Sequence, residues 1–287
     1  MTARPDPIAH RSLAASRPAA PDRAATPRRA RRRPQGPTLV AVAHGSRDPR
    51  ALATVRALLA EVRAQRPGLR VELGHVELNE PLLADTLAEH APGRAVLVPL
   101  LLGRGHHVHH DLPEAAAAAP HLRIAQTAPL GPHPLLAEAL HARLAERLTG
   151  TPFPGRARPD AVVLAAAGSR DPRSAADADR TAALLSRRLG GIPVLSAYAC
   201  AATPTVPQAL AALRAAGHRR IALASYFTAP GFFATRSARE AGPRVPAADP
   251  LGAHPALARL VLHRYDEGRR ALAAAPAVHT VMLARTG

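Results

Sequence analysis

The amino-acid sequence predicts an α/β fold of two duplicated halves, each a doubly wound parallel sheet, that face one another across a cleft. Three observations support this prediction. Short, continuously apolar segments alternate with helical segments, which is typical of parallel sheets covered by helices on both faces. The hexapeptide GSRDPR at 45–50 recurs at 168–173. The pentapeptide LGPHP at 130–134 recurs as LGAHP at 251–255, and this nearly constant offset indicates a duplication.

The first half is predicted to begin with a buried strand from Thr38 to Ala43, because this segment is short and continuously apolar. Asp48 is a good helix N-cap and Pro49 a good first helical residue, so a helix should run from here to about Arg66. The same alternation then predicts a strand at 69–77, a helix from 81 to about 92, a strand at 94–102, a helix at 109–119, a strand at 121–127 and a helix at 134–148.

The two repeats set the predicted domain boundaries. Residues before the first repeat are rich in Pro, Ala and Arg without periodicity, which is typical of disorder. A stretch rich in Pro, Gly and polar residues between the repeats is typical of a linker. The sequence therefore predicts a disordered tail at 1–36, a first half at 37–150, a linker at 151–159, a second half at 160–274 and a tail at 275–287.

The composition narrows the classes of function. The formal net charge of +17 suits an anionic partner, but no basic stretch is interleaved with the aromatic residues that stack on nucleic-acid bases. We therefore expect no nucleic-acid partner. No apolar run approaches the length of a membrane span, and the N-terminus lacks the apolar segment of a secretory signal. Cys200 is the only cysteine, which suits a reducing compartment, so we expect a cytoplasmic protein.

Two histidines distinguish the halves at positions suited to chemistry. His44 directly follows the first predicted strand, and His107 follows the third. Ligands of open parallel sheets bind at the carboxyl ends of the strands, where the strand order reverses, so both imidazoles can face one crevice. The second half has Ala167 in place of His44, and aligning 96–108 with 221–233 puts phenylalanines near the other position. This difference is expected if the protein needs only one such site, so that the second half can lose its histidines.

The bland interpretation is that these histidines have no function. The HHVHH segment at 106–110 is also typical of an adventitious metal-binding surface, since His106 and His110 are four residues apart. A single His44 is more often structural than functional. Imidazole is nevertheless a good ligand for Co²⁺, Fe²⁺, Ni²⁺ and Zn²⁺, and it can accept a proton near neutral pH. The contrast between the halves favours the metal-binding interpretation.

The sequence resembles the class II chelatases of the CbiX and SirB type in two motifs. The first is HGSRDP at 44–49, and the second is G-x-H-V-x-x-D-[IL]-P at 105–113. The resemblance covers residues 37 to about 274, as the long form with two fused halves. The segment SYFTAPGFFATR at 225–236 looks like the degenerate second half of long members of the family.

The resemblance implies insertion of Co²⁺ or Fe²⁺ into sirohydrochlorin, a tetrapyrrole with eight carboxylates, for sirohaem or cobalamin. The metal is then a substrate, the other partner is this small molecule, and no organic cofactor is needed. By analogy, His44 and His107 bind the metal and accept pyrrole protons, although the adjacent His106 remains an alternative to His107. Glu77 matches an acidic position of the family, which implies that it assists with the protons or the metal; the equally weighted alternative is an exposed carboxylate at the end of a strand.

The carboxylates of such a substrate need donors, and arginine is their natural partner. Arg47 and Arg104 lie beside the motifs, and the Ser46 hydroxyl lies at the start of a helix. For Arg47 and Ser46, a role other than substrate binding stays open. Arg47 recurs as Arg170, so a scaffold role is equally plausible; Arg104 has no counterpart; and Ser46 can simply cap the helix.

Two rival functions come from other classes of protein. The first is a metal carrier or tetrapyrrole-binding protein without catalysis that uses the same histidines. The second is a nucleotide-binding or nucleic-acid-binding α/β protein, which the charge suggests. The chain lacks a G-x-x-x-x-G-K-[ST] loop and a G-x-G-x-x-G after a strand, which argues against a nucleotide site. The sequence gives no prediction of oligomeric state.

Overall fold

The computed structural model describes residues 1–2, 36–149, 158–274 and 282–283, and the fold below lies within Gly36–Gly287. Residues 3–35 of the predicted disordered tail and residues 151–157 of the predicted linker lie outside the described residues. None of the helices in the described part of the chain combines the length and the hydropathy that a bilayer crossing requires.

The first repeat forms a parallel sheet with helices on both faces. Its strands are β1 (Thr38–Ala43), β2 (Val71–His75), β3 (Gly93–Pro99) and β4 (Leu122–Gln126). Its helices are α1 (Pro49–Gln65), α2 (Leu83–Glu89), α3 (His106–His109), α4 (Asp111–Ala117) and α5 (Pro134–Leu148). The strand order is β2-β1-β3-β4, so the winding direction reverses between β1 and β3. The predicted doubly wound topology is confirmed.

The predicted elements of this half are confirmed apart from their ends, with one difference in the third helical segment. The sequence predicts one helix over 109–119, but the chain forms α3 and then α4, with a break at His110. Pro113 explains the break. Proline fits only the first turn of a helix, because it lacks a backbone N–H and its ring clashes with the preceding turn. A new helix must therefore begin shortly before Pro113.

The second repeat forms a shorter parallel sheet. Its strands are β5 (Ala161–Ala166), β6 (Val194–Tyr198) and β7 (Ile221–Ser225), in the order β6-β5-β7. Its helices are α6 (Pro172–Arg188), α7 (Val206–Ala215), α8 (Phe232–Ala241) and α9 (Pro255–Ala274). In the place of β4, the described chain has only a short extended segment, where Leu223 bonds to Pro246 and Ala248. The second half is therefore a reduced copy of the first.

The last helix of each repeat packs on the other repeat. Helix α5 contacts α6 and β7 of the second half, whereas α9 contacts α1, β3 and β4 of the first. Gly268 of α9 shows how close this packing is, since a Cβ atom there would come within 2.4 Å of a Val96 methyl carbon. The predicted boundaries at 150 and 160 therefore separate the two sequence repeats, but they do not separate two domains that pack independently.

The exchange of helices produces one core that is shared by both halves. Buried apolar residues from the two sheets and from both exchanged helices belong to a single cluster. Within the predicted tail at 275–287, the described residues form β8 (Met282–Leu283), which pairs in parallel with β4. A strand added there occupies backbone hydrogen-bonding groups that the edge of β4 would otherwise expose.

Candidate active site

The two halves enclose a cleft of about 1270 Å³ at the carboxyl ends of their strands. The loops that follow β1 and β3 line one side, and their second-half counterparts after β5 and β7 line the other. Because the order of each sheet reverses at β1 or β5, the neighbouring loops diverge there and leave a crevice. The cleft therefore lies where the sequence predicts a ligand site.

A close backbone contact places His44 beside Glu77. Gly45 has a φ of +105°, and a Cβ atom on it would lie 1.8 Å from the Glu77 carbonyl oxygen. Only glycine tolerates both the conformation and the contact. The backbone N–H of Glu77 donates a hydrogen bond to the His44 carbonyl oxygen at 3.0 Å. The Nδ1 atom of His44 then lies 3.5 Å from Oε1 of Glu77.

His44 is held in its neutral form by its surroundings. Its side chain is 46% exposed, but it lies between the walls of the cleft. Burial lowers the pKa of His44 below its ordinary value of 6.5, and the nearby His107 lowers it further, while the charge of Glu77 partly opposes both effects. A neutral imidazole is the form that binds a metal and accepts a proton.

His107 lies beside His44, and Asp111 orients it. The centroids of the two imidazole rings are 4.6 Å apart, and the rings are nearly perpendicular. The Nδ1 atom of His107 lies 2.5 Å from Oδ2 of Asp111, one turn further along the chain. Because a carboxylate only accepts hydrogen bonds, Nδ1 carries the proton, and Nε2 keeps its lone pair for a metal. This carboxylate–histidine pairing is common behind metal-binding imidazoles.

The neighbouring His106 has a different environment. Its ring stacks on His110 with 4.5 Å between centroids, and its side chain is 72% exposed. The centroids of His106 and His107 are 6.2 Å apart. Of the two candidates that the sequence leaves open, the structure puts His107 against His44. The metal-binding role of His107 stays a prediction.

In the part of the chain that the structure describes, no group of three or more His, Cys, Asp or Glu side chains is arranged so that it could hold one metal ion. His44 and His107 provide two imidazoles, and Glu77 lies behind the first of them. A site with so few ligands leaves coordination positions open. The arrangement suits a metal that is bound briefly and then transferred.

The Ser46 side chain has a hydrogen-bond partner among the described residues, whereas the Arg47 side chain has none. The backbone N–H of Asp48 donates to the Ser46 hydroxyl at 3.1 Å, so Ser46 shapes the turn before α1. Asp48 itself caps the helix. Arg47 is exposed at the cleft and makes no hydrogen bond or ion pair with any described residue. Arg47 is therefore available to a ligand, and the roles of Ser46 and Arg47 in substrate binding stay predictions.

Arg104 has a protein partner in place of the predicted substrate. Its guanidinium donates two hydrogen bonds to the Asp177 carboxylate, at 2.9 and 2.6 Å, and Asp177 is 1% exposed. This ion pair links the loop after β3 to α6 of the other half. The geometry favours a structural role for Arg104, because a buried carboxylate needs its partner.

Further contacts from the second half hold the loop that precedes His107. The Tyr226 hydroxyl donates to the Leu102 carbonyl oxygen at 2.9 Å, and the Thr228 hydroxyl donates to the Leu100 carbonyl oxygen at 2.9 Å. Tyr226 is buried, which raises the pKa of its phenol and keeps it a donor. The second half therefore positions the loop that carries His107.

Sequence reasoning gave no role to Asp111 or Arg170, although both lie close to the predicted site. Asp111 is part of the second motif, and its spacing of four residues from His107 was the available signal. Arg170, the counterpart of Arg47, is exposed at the cleft and has no hydrogen bond or ion pair with a described residue. Its lack of a partner is visible only in the folded protein.

The second half lacks all four side chains that form this site in the first half. Strand registers show that β7 aligns with β3 one residue further along than the sequence alignment of 96–108 with 221–233 suggests. Gly231 then matches Gly105, since both directly precede a helix at the cleft. With this alignment, the counterparts of His44, Glu77, His107 and Asp111 are Ala167, Cys200, Phe233 and Ser237. The halves therefore have different tasks.

Comparison with known proteins supports the assignment of the family. The CbiX family matches residues 38–147 and 161–268, which covers both halves. A sirohydrochlorin ferrochelatase of Bacillus subtilis (strain 168) is 26% identical over 239 residues, which are 79% of this chain and 89% of that protein.

Solved structures show the same fold. The structure of SirB from Bacillus subtilis with Fe³⁺ has a TM-score of 0.67 at 25% identity, over 82% of this chain and 96% of that one. The sirohydrochlorin chelatase SirB from Bacillus subtilis subspecies spizizenii, in complex with cobalt, has a TM-score of 0.65 at 24% identity over the same shares. Together with the match over both halves, this shows that the chain belongs to the CbiX family.

Proposed function

We propose that this protein is a sirohydrochlorin chelatase, which inserts a divalent metal, Co²⁺ or Fe²⁺, into the macrocycle in the cytoplasm. The observation that carries this proposal is the pair of imidazoles, His44 and His107, with 4.6 Å between their centroids in the cleft. The curated relative of this chain is a sirohydrochlorin ferrochelatase. The volume of about 1270 Å³ slightly exceeds the usual range for small-molecule pockets, which suits a macrocycle.

The two imidazoles hold the incoming metal ion weakly. Divalent cobalt and iron accept imidazole ligands, and the remaining coordination positions stay open to the four nitrogens of the macrocycle. Asp111 keeps His107 in the tautomer whose Nε2 is free. The ion can pass from two protein ligands to four substrate ligands without leaving a complete protein cage.

The macrocycle must lose two N–H protons as the metal enters. His44 is a suitable acceptor, because its lowered pKa leaves it unprotonated at neutral pH. Glu77, with Oε1 3.5 Å from Nδ1 of His44, can stabilise the imidazolium that forms and lies at the exposed rim of the cleft. Once His44 has released the metal to the macrocycle, its imidazole can take the two protons one after the other and pass each one to solvent.

Anaerobic absorbance spectroscopy of sirohydrochlorin with Co²⁺ or Fe²⁺ tests the proposal. Wild-type protein at a catalytic concentration should give many turnovers, and both His44→Ala and His107→Ala should abolish them. His106→Ala is the matched control and should retain activity. If folded wild-type protein accelerates neither reaction, the chelatase proposal is wrong, and tight metal retention would then indicate a carrier.

A further inference from the structure

The second half presents exposed aromatic side chains to the cleft. Among the described residues, the large hydrophobic side chains that are exposed are Met1, Leu78, Phe232 and Phe233, and the last three line the cleft. Phe232 is 70% exposed, and its ring contacts that of Phe233 with 5.4 Å between centroids. Exposed aromatic side chains that are grouped at one concave surface indicate a ligand contact.

These phenylalanines occupy the positions at which the first half carries its histidines. Phe232 matches His106, directly after a glycine at the cleft, and Phe233 matches His107, one residue later. The replacement exchanges a metal ligand for a flat apolar surface while the loop is retained. The faces of a tetrapyrrole are flat and apolar, and such faces pack well on aromatic rings.

The arginines of the cleft divide into occupied and free ones. Arg173 bonds to Asp171, and Arg104 bonds to Asp177. Arg47 and Arg170, which are counterparts in the two halves, are exposed at the cleft and make no hydrogen bond or ion pair with a described residue. The cleft therefore offers two free guanidinium groups on loops of equivalent position.

Close contacts between the halves bring Arg170 near the metal-site loop. A Cβ atom on Gly105 would lie 3.9 Å from the hydroxyl of Ser169, the residue before Arg170. In the equivalent contact, a Cβ atom on Gly231 would lie 3.4 Å from the Ser46 hydroxyl. The Gly-Ser-Arg segments at 45–47 and 168–170 are called the GSR loops. Each GSR loop lies against the loop that follows the third strand of the other half.

We propose that the second half, having lost the metal ligands, has become the wall that holds the substrate. Arg170 binds a carboxylate of the tetrapyrrole beside the His107 loop, and Phe232 and Phe233 pack against the face of the macrocycle. This inference rests on the proposed chelatase function. It explains why a half without metal ligands keeps its GSR loop, its free arginine and an exposed aromatic pair.

Steady-state kinetics at saturating Co²⁺ tests the role of Arg170. Arg170→Gln should raise the KM for sirohydrochlorin about tenfold, which corresponds to one lost charge-assisted hydrogen bond, while kcat stays within about threefold. Arg170→Lys should recover part of the loss, because it keeps the charge without the planar fork. The matched control is Arg187→Gln, which removes the same charge from an exposed position on α6 and should not change KM.

The aromatic wall is tested by Phe232→Ala/Phe233→Ala, with Phe232→Leu/Phe233→Leu as the conservative pair. The alanine pair should raise the KM for sirohydrochlorin by about tenfold or more, and the leucine pair should raise it less. Calorimetric titration with Co²⁺ alone should give the wild-type affinity for all these variants, since none is a metal ligand. An unchanged KM in both Arg170→Gln and the alanine pair would overturn the inference.

Direct binding separates this inference from the chelatase proposal. Fluorescence titration of metal-free sirohydrochlorin should show about tenfold weaker binding to Arg170→Gln than to the wild type. If the wild type binds sirohydrochlorin and the variants bind it more weakly, but no protein turns it over, the chelatase proposal fails while the wall stands. If the wild-type protein inserts the metal and all variants bind sirohydrochlorin equally well, the inference about the second half is wrong while the chelatase proposal stands.

Discussion

The Nδ1 atom of His107 and the Oδ2 atom of Asp111 lie 2.5 Å apart, at the point where α3 ends and α4 begins. The break between the helices, which Pro113 imposes, leaves this turn short and keeps the two residues together. The hydrogen bond occupies Nδ1 and leaves Nε2 as the ring nitrogen of His107 with a free lone pair. Asp111 is therefore a positioning residue for the site, and its substitution has a specific consequence.

We expect Asp111→Ala to weaken Co²⁺ binding about 10- to 100-fold, the usual effect of removing a carboxylate behind a metal-binding histidine. Asp111→Asn should lose less, because its amide oxygen still accepts the Nδ1 proton. Calorimetric titration with Co²⁺ measures both affinities. Glu114→Gln, an exposed position on the same helix, is the control. Equal affinities for Asp111→Ala and wild type would show that Asp111 does not position His107.

The pKa of His44 should move in opposite directions in two variants. Glu77→Gln removes a negative charge that raises this pKa, so the pKa should fall further below 6.5. His107→Ala removes a group that lowers it, so the pKa should rise. NMR titration of the His44 ring measures both shifts. The acid limb of activity in Glu77→Gln should move to lower pH with the pKa. Shifts of the same sign would contradict the assigned electrostatics.

The ion pair between Arg104 and Asp177 should contribute to the stability of the fold. Arg104→Ala leaves the buried Asp177 carboxylate without its bidentate partner, which we expect to cost about 2–4 kcal/mol after allowing for the partial exposure of Arg104. Urea unfolding measures this loss. Arg180→Ala is the control, since Arg180 is exposed and 3.6 Å from Asp177, and it should cost under about 1 kcal/mol. A similar loss in both variants would contradict the structural role of Arg104.

Acid should destabilise the protein through His133, which caps α5. The ring accepts a hydrogen bond from the Leu135 N–H, and burial, with the charge of Arg264, lowers the pKa of His133 to about 4. The unfolded chain takes up a proton near pH 6.5 but the folded protein does so only near pH 4, so stability falls as the pH falls through this range. Asparagine is a good cap that does not titrate.

His133→Asn should therefore reduce the loss of thermal stability between pH 6.5 and 4.5 relative to the wild type. Thermal unfolding followed by circular dichroism at a series of pH values measures this difference. His141→Asn, which makes the same replacement further along α5, is the control. If His133→Asn and wild type lose stability in parallel, the cap does not titrate as proposed.

Much of the first half is predictable because its signals are local. The continuously apolar run Thr38–Ala43 forms a fully buried strand, and the Asp48-Pro49 pair begins α1 as the sequence predicts. The break at His110 is not predicted, although Pro113 is present in the sequence. The reason is that the predicted helix begins at 109 and so leaves out nearly all of α3. The alignment of the third strands was wrong by one residue, since the two loops that follow them have little sequence in common.

By itself, the sequence determined the duplication, the order of strands and helices, and the position of His44 and His107 at one edge of a parallel sheet. These properties depend on periodicity, caps and strand order, which neighbouring residues set. Only the tertiary structure decided that α5 and α9 exchange sheets and that Arg104 pairs with Asp177. The same holds for Arg47 and Arg170, which have no hydrogen bond or ion pair with a described residue. Such contacts join residues that are distant in the sequence, such as Arg104 and Asp177, which are 73 positions apart. They depend on how distant surfaces fit together, which no local pattern records.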